Sequence, residues 1–254
     1  MSNYFDDVIK ILKDCKIVSN NLRLDAVILN TNGIKLYDKI NIIKRTINFI
    51  NISRHHYDEN VNRSIFNTNN IPDNEELEKI ISACCKAGIE VTLNCILPLR
   101  PTKHDKTGEQ FVTEYINFAK SVGASSVAFR KQHGNLNPHR YEKTFNDYIP
   151  INEGGCGVCR YKVQSIKGLH VYWKTAVEEP SKTIKRQIYE LIIQPNGLVT
   201  ADWKGKLEIT IFNKKLYISK EFEGRVKEVL LPINDYISKS QPASCAPVRI
   251  GCGC

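Results

Sequence analysis

The chain has 254 residues, of which 42% are hydrophobic and 25% charged, the balance of an ordinary globular protein and not of a disordered one. No apolar run approaches the roughly 20 residues of a membrane span, and the acidic opening from Met1 to Asp7 does not read as a signal peptide, so a cytoplasmic setting without a membrane partner is expected. A formal net charge of +9 favours anionic ligands over cationic ones.

In chain order, Phe5, Val8, Ile9 and Leu12 recur at the spacing of one buried helix face and predict an opening helix. The run LDAVIL within 23–30 predicts a strand, closed by the turn signal Thr31-Asn32-Gly33. Leu36, Ile40 and Ile43 predict a helix, followed by a strand over 47–53. The acidic start at Pro72-Asp73-Asn74-Glu75-Glu76 opens the strongest helix, with Leu77, Ile80, Ile81 and Cys84 on one face and Gly88 as its stop. A strand over 89–97 follows. Phe111, Tyr115, Phe118 and Val122 then mark a helix stopped by Gly123, and 126–130 forms a further strand. Such alternation calls for parallel strands joined by crossover helices, hence an α/β sheet or barrel.

Beyond about residue 140 the pattern changes to short strands and turns. Pro195-Asn196-Gly197 predicts a hairpin, and Asn213-Lys214 separates two further strands. We therefore divide the chain into 1–140, an α/β part, and 141–254, a small, mainly antiparallel β extension ending in a tail with cysteines.

Ligands of parallel α/β folds bind at the carboxyl ends of the strands, where loops and helix N-termini converge. The predicted strands run out into Asn30, Thr31 and Asn32; into Asn51, Ser53, Arg54, His55 and His56; through Thr92 and Asn94; and into Arg130. In the second and third strands the polar residues alternate with Ile50 and Ile52, or Leu93 and Cys95, and so share one face. Taken singly, each is also read as a strand terminus reaching solvent. Adjacent His55 and His56 point to opposite faces and do not form one metal site. Arg54 and Arg130 have the fork geometry that holds a carboxylate or phosphate.

The succession VILNTNG (27–33), INISRHHYDE (50–59), ISACCKAGIEVTLNCIL (81–97) and SVGASSVAFR (121–130) resembles strands three to six of the radical S-adenosylmethionine (SAM) enzymes, nearest the cyclic pyranopterin synthase type of molybdenum-cofactor biosynthesis. The resemblance covers roughly the first 130 residues. It implies an incomplete (β/α)₆ barrel in which a [4Fe-4S] cluster on a C-x₃-C-x₂-C loop cleaves SAM to a 5′-deoxyadenosyl radical that abstracts hydrogen from substrate. By the same resemblance Ser53 lies near the SAM ribose, Asn94 and Arg130 face cofactor or substrate, and Thr31 is a weaker carry-over. The sequence departs from the family in having no C-x₃-C-x₂-C and no counterpart of the first strands. The expectations are a second polypeptide that completes the barrel, a truncated longer enzyme, or a degenerate relative kept for binding. In each case the chain is inactive alone, and its substrate is an unidentified small molecule, peptide or RNA.

Nine cysteines, an odd number, argue against a disulfide framework. Cys15, Cys84, Cys85 and Cys95 lie in apolar periodic segments and read as small buried hydrophobes. Cys156 and Cys159 form a C-x₂-C knuckle which, with Cys245, Cys252 and Cys254, offers thiolates for zinc or an auxiliary iron–sulfur cluster; the alternative is a tail with free thiols. Trp173 and Trp203, with Tyr172 and Tyr189, read as the apolar core of the extension. No dinucleotide, P-loop or serine-hydrolase motif occurs. The rival reading is a non-catalytic basic module binding nucleic acid or another polyanion.

Overall fold

The computed structural model describes residues 26–97, 107–130 and 159–176, the segments 152–155, 192–193, 199–200, 208–212 and 215–218, and positions 5, 6, 9, 145 and 150. Two compact units result, one of residues 28–177 and one drawn from 1–27 and 178–252. Among the described residues no helix is long and apolar enough to cross a membrane.

The first unit is built on a seven-stranded sheet of order β1-β2-β3-β4-β7-β6-β5. Its strands are β1 (Ile28–Thr31), β2 (Phe49–Ser53), β3 (Glu90–Ile96), β4 (Ser126–Arg130), β5 (Asn152–Gly155), β6 (Cys159–Ile166) and β7 (Leu169–Ala176). From β1 to β4 and on to β7 the pairing is parallel, and β6 runs antiparallel to both β7 and β5. The fold is thus α/β. The strands assigned by sequence to an extension include β7, which is hydrogen-bonded directly to β4.

Between the parallel strands lie α1 (Leu36–Ile43), α2 (Glu59–Phe66), α3 (Asn74–Lys86) and α4 (Gly108–Ser121). The order of β1 to β4 in space follows the order in sequence, so right-handed crossovers carry α1, α3 and α4 to one side of the sheet. That side is apolar. Leu29, Ile50, Ile52, Val91, Leu93, Cys95, Val127 and Phe129 alternate onto it, while α3 contributes Leu77, Ile80, Ile81 and Cys84 and α4 contributes Phe111, Tyr115 and Ile116. Phe129, Phe145 and Trp173 continue the core, with Phe145 stacked on the Trp173 ring at 4.5 Å.

Two helices end at the glycines that the sequence marks as stops. The Gly88 N–H reaches the Cys85 carbonyl and Ile89 that of Cys84, with Gly88 at φ +74, and Gly123 and Ala124 repeat the arrangement after α4. Asn67, at φ +51, does the same for α2 without a glycine. The helix α2 is missing from the sequence expectation because it lacks an apolar stripe: its buried residue is Asn62, and Ile65 is exposed. Its signal was Asp58, whose carboxylate accepts the N–H groups of Asn60 and Val61. A second departure is Cys85, which is exposed, whereas Cys84 and Cys95 are fully buried. Adjacent positions on a helix lie about 100° apart, so Cys84 faces the sheet and Cys85 turns away.

The second unit contains a four-stranded antiparallel sheet of β8 (Ile192–Ile193), β9 (Val199–Thr200), β10 (Glu208–Phe212) and β11 (Lys215–Ile218). The strands flanking Pro195-Asn196-Gly197 pair antiparallel, as do those flanking Asn213-Lys214. Trp203, Tyr189 and the opening helix, apart from positions 5, 6 and 9, lie outside the described residues.

Candidate functional site

The face of the main sheet opposite the helices is polar. In register across it stand Asn30, Asn51, Thr92, Ser126 and His170, a row contributed by five parallel strands. One step toward the carboxyl ends come Ser53, Asn94, Ala128 and Tyr172, and beyond them Arg130 and Lys174. Neighbours in a parallel register project to the same side, so Ser53, Asn94 and Arg130 share one face.

These side chains are knitted together. The Asn51 amide donates to Asn30 Oδ1 at 2.8 Å, and the hydroxyls of Thr92 and Ser126 are 2.7 Å apart in a buried pair. At the rim, Arg130 Nε donates to Asn94 Oδ1 at 3.0 Å, which leaves the Asn94 amide nitrogen as a donor. Two atoms of the face are buried without a hydrogen-bond partner: the acceptor Asn51 Oδ1 and the donor Arg130 Nη2. A buried polar atom costs free energy until it is paired, and an acceptor in the depth with a donor at the rim is complementary to a ligand that carries both kinds of group.

Thr31 falls elsewhere. Its register partner is Ile52, which places it on the helix side, and its hydroxyl accepts the Gly33 N–H at 3.1 Å. Thr31 thereby shapes the turn in which Asn32 Oδ1 takes the Ile34 N–H. Gly33 sits there at φ +90 with Pro72 so near that a Cβ would lie 3.0 Å from its ring.

Arg54 and the two histidines prove to be the scaffold of the rim. Arg54 is 2% exposed, and its guanidinium donates to the carbonyls of His56 at 3.1 Å and Pro72 at 2.9 Å and to Asn74 Oδ1. Its own carbonyl accepts from the Tyr115 hydroxyl, and Phe118 lies 5.5 Å from its charge. Burial lowers its pKa from the ordinary value, and burial raises that of Tyr115. Asn62 Oδ1 collects the N–H groups of His55 and His56, at 2.8 and 3.3 Å. Both rings use Nδ1 as an acceptor, His55 from Ile96 N–H and His56 from Asp58 N–H. Desolvation drops the His55 pKa to about 4, so the ring, stacked on Phe66 at 4.9 Å, is neutral at pH 7.

Of the cysteines proposed as metal ligands, Cys156, Cys245, Cys252 and Cys254 lie outside the described residues, and of Cys159 the backbone alone is described, at the start of β6. Among the described residues no group of three or more His, Cys, Asp or Glu is placed to hold a metal ion. The 254 residues contain no C-x₃-C-x₂-C, so a SAM-cleaving cluster of the expected kind does not fit the cysteines present. The unpaired Asn51 Oδ1 and Arg130 Nη2 offer a ligand of this face one acceptor and one donor.

Compared with known proteins, the sequence matches no protein family and no curated protein. Among solved structures, the chain is matched with Streptococcus suis SuiB, in a crystal structure with the precursor peptide SuiA bound, at 14% sequence identity and a TM-score of 0.34. The match covers 51% of this chain and 26% of the SuiB chain, so it spans about a quarter of that protein's length.

Proposed function

We propose that the polar face of the main sheet is the cofactor-binding side of a radical SAM-type enzyme, in which the residues described here hold SAM and cysteines supplied by another polypeptide or segment hold the cluster. The observation that carries this reading is the coupled rim: Ser53 and Asn94 in register on adjacent strands, with Arg130 fixing the Asn94 amide.

In this reading Ser53 meets the ribose hydroxyls and the Asn94 amide N–H groups meet an acceptor of the nucleoside. Asn51 Oδ1, roughly 7 Å deeper by strand rise, takes a donor. Bound SAM would supply hydrogen-atom abstraction chemistry. The chain's own part is to orient the nucleoside and exclude water along a face whose Asn51, Thr92 and Ser126 are already buried. The apolar opposite side fixes these positions, since each polar residue alternates with one locked into the helix-covered core.

The experiment is anaerobic reconstitution of the whole chain with a polypeptide bearing a C-x₃-C-x₂-C loop, followed by reduction in the presence of SAM. 5′-Deoxyadenosine formed by the pair and by neither alone, and reduced about tenfold or more by Asn94→Ala, is the expected result. Equal 5′-deoxyadenosine from the pair with and without the Asn94 amide overturns the assignment.

A further inference from the structure

A side chain finishes the β2–β3 ladder. The Asn94 carbonyl accepts the Arg54 N–H at 3.0 Å, and continuation of the parallel pattern would send the Ile96 N–H to the Arg54 carbonyl. That carbonyl accepts the Tyr115 hydroxyl instead, and the Ile96 N–H goes to His55 Nδ1 at 3.2 Å. A ring nitrogen that accepts an N–H carries no proton, so in the neutral imidazole the hydrogen sits on Nε2. Four contacts fix the residue: its backbone N–H on Asn62 Oδ1, its carbonyl accepting the Cys95 thiol at 3.4 Å, Nδ1 on Ile96, and the ring face on Phe66. None of them uses Nε2. His56 also accepts through Nδ1, but it is 0% exposed, whereas His55 is half-buried and reaches the surface.

His55 follows Ser53 by two residues, at most about 7 Å along the chain, at the carboxyl end of β2. A donor that is fixed in direction, uncharged and set against the Phe66 ring suits an uncharged acceptor better than a carboxylate, whose charge it would leave uncompensated. Because the ring is already held, the donor costs little further ordering when a ligand arrives. We propose that the His55 Nε2–H is a further ligand-binding donor at this rim, taking a hydroxyl oxygen or a ring nitrogen of the nucleoside whose ribose meets Ser53. That the nucleoside belongs to SAM rests on the cofactor reading; the directed Nε2–H rests on the His55–Ile96 bond.

The test is magnetic resonance of the whole chain, isotopically labelled at its histidine nitrogens, titrated in turn with SAM, adenosine and methionine. His55→Phe, which keeps a ring against Phe66, identifies the His55 signals by their loss. The free chain should show the proton on Nε2 and none on Nδ1. SAM and adenosine should each shift the Nε2 resonance saturably, and methionine should not. His55→Phe should weaken SAM about threefold to tenfold, the worth of one neutral hydrogen bond. Lys162→Gln, on the helix-side register, should leave both the affinity and the His55 signals unchanged. A proton on Nδ1, or methionine moving Nε2 as far as adenosine does, overturns the inference. SAM that binds, weakens in Asn94→Ala and leaves Nε2 unmoved also overturns it, with the cofactor reading left standing. Adenosine that shifts Nε2 in a chain unable to bind SAM contradicts the cofactor reading and leaves His55 as a nucleoside donor; if neither binds, both fail.

Discussion

Arg130 Nε and Asn94 Oδ1 lie 3.0 Å apart across two strands whose register offsets them by two residues. The bond turns a flexible arginine into a fixed element of the rim, and it decides which end of the Asn94 amide faces a ligand. Removing either partner therefore acts on both.

The Thr92–Ser126 hydroxyl pair behind this rim is a direct probe of how dry the face is. Thr92→Val or Ser126→Ala alone leaves the other hydroxyl buried without its 2.7 Å partner and should destabilise the fold by about 1–3 kcal/mol. Removing both should cost less than the sum of the two. A double-mutant cycle by urea denaturation reads the difference, and strict additivity would mean that water already serves these groups.

Arg54→Met should be among the most damaging single substitutions. It strips the His56 and Pro72 carbonyls and Asn74 Oδ1 of their donor at once and unties the β2 exit from the start of α3. A loss of about 3 kcal/mol or more is expected, seen as a large fall in melting temperature.

Stability should depend on pH through His55. Its folded pKa of about 4 lies below the ordinary 6.5, so between these values the unfolded chain binds the proton and the folded chain does not. The contribution is complete above pH 6.5 and is lost as pH falls toward 4. Denaturation midpoints of the unsubstituted chain and His55→Phe, which keeps a ring against Phe66, should converge as pH is lowered through this window. Parallel curves would contradict the buried, neutral ring.

Two glycines separate backbone strain from crowding. Gly33→Ala places a Cβ in a left-handed conformation and 3.0 Å from Pro72, whereas Gly168→Ala has the strain at φ +78 with nothing within 4 Å. Both should destabilise, Gly168→Ala by about 1 kcal/mol and Gly33→Ala by more. Comparable losses would mean that Pro72 moves aside freely.

Much of this arrangement was legible in the sequence because helix and strand periods are written in apolar residues. Leu36, Ile40 and Ile43, or Leu77, Ile80, Ile81 and Cys84, fall on single faces and are buried as their spacing requires. The polar alternation through Asn51, Ser53, Thr92 and Asn94 likewise announced one face. What failed to show was whatever polar contacts alone hold. Helix α2 has Asn62 at its core, and Arg54 reads as a ligand-binding fork until its donors are seen to go to His56, Pro72 and Asn74. Thr31 entered as a weaker carry-over from the resemblance, but alternation after Asn30 puts it on the helix side, where it closes its own turn. Lys174 carried no local signal, since its place beside Arg130 depends on β7 docking against β4 across 44 residues of chain.

The central claim, that the rim of Ser53, Asn94 and Arg130 receives SAM, is tested most directly by equilibrium dialysis of labelled SAM against the whole chain and its Asn94→Ala and Ser53→Ala variants. The account predicts saturable binding that each substitution weakens about tenfold or more, with Lys162→Gln unaffected. Binding of equal strength in all four proteins, or none in the unsubstituted chain, would contradict it.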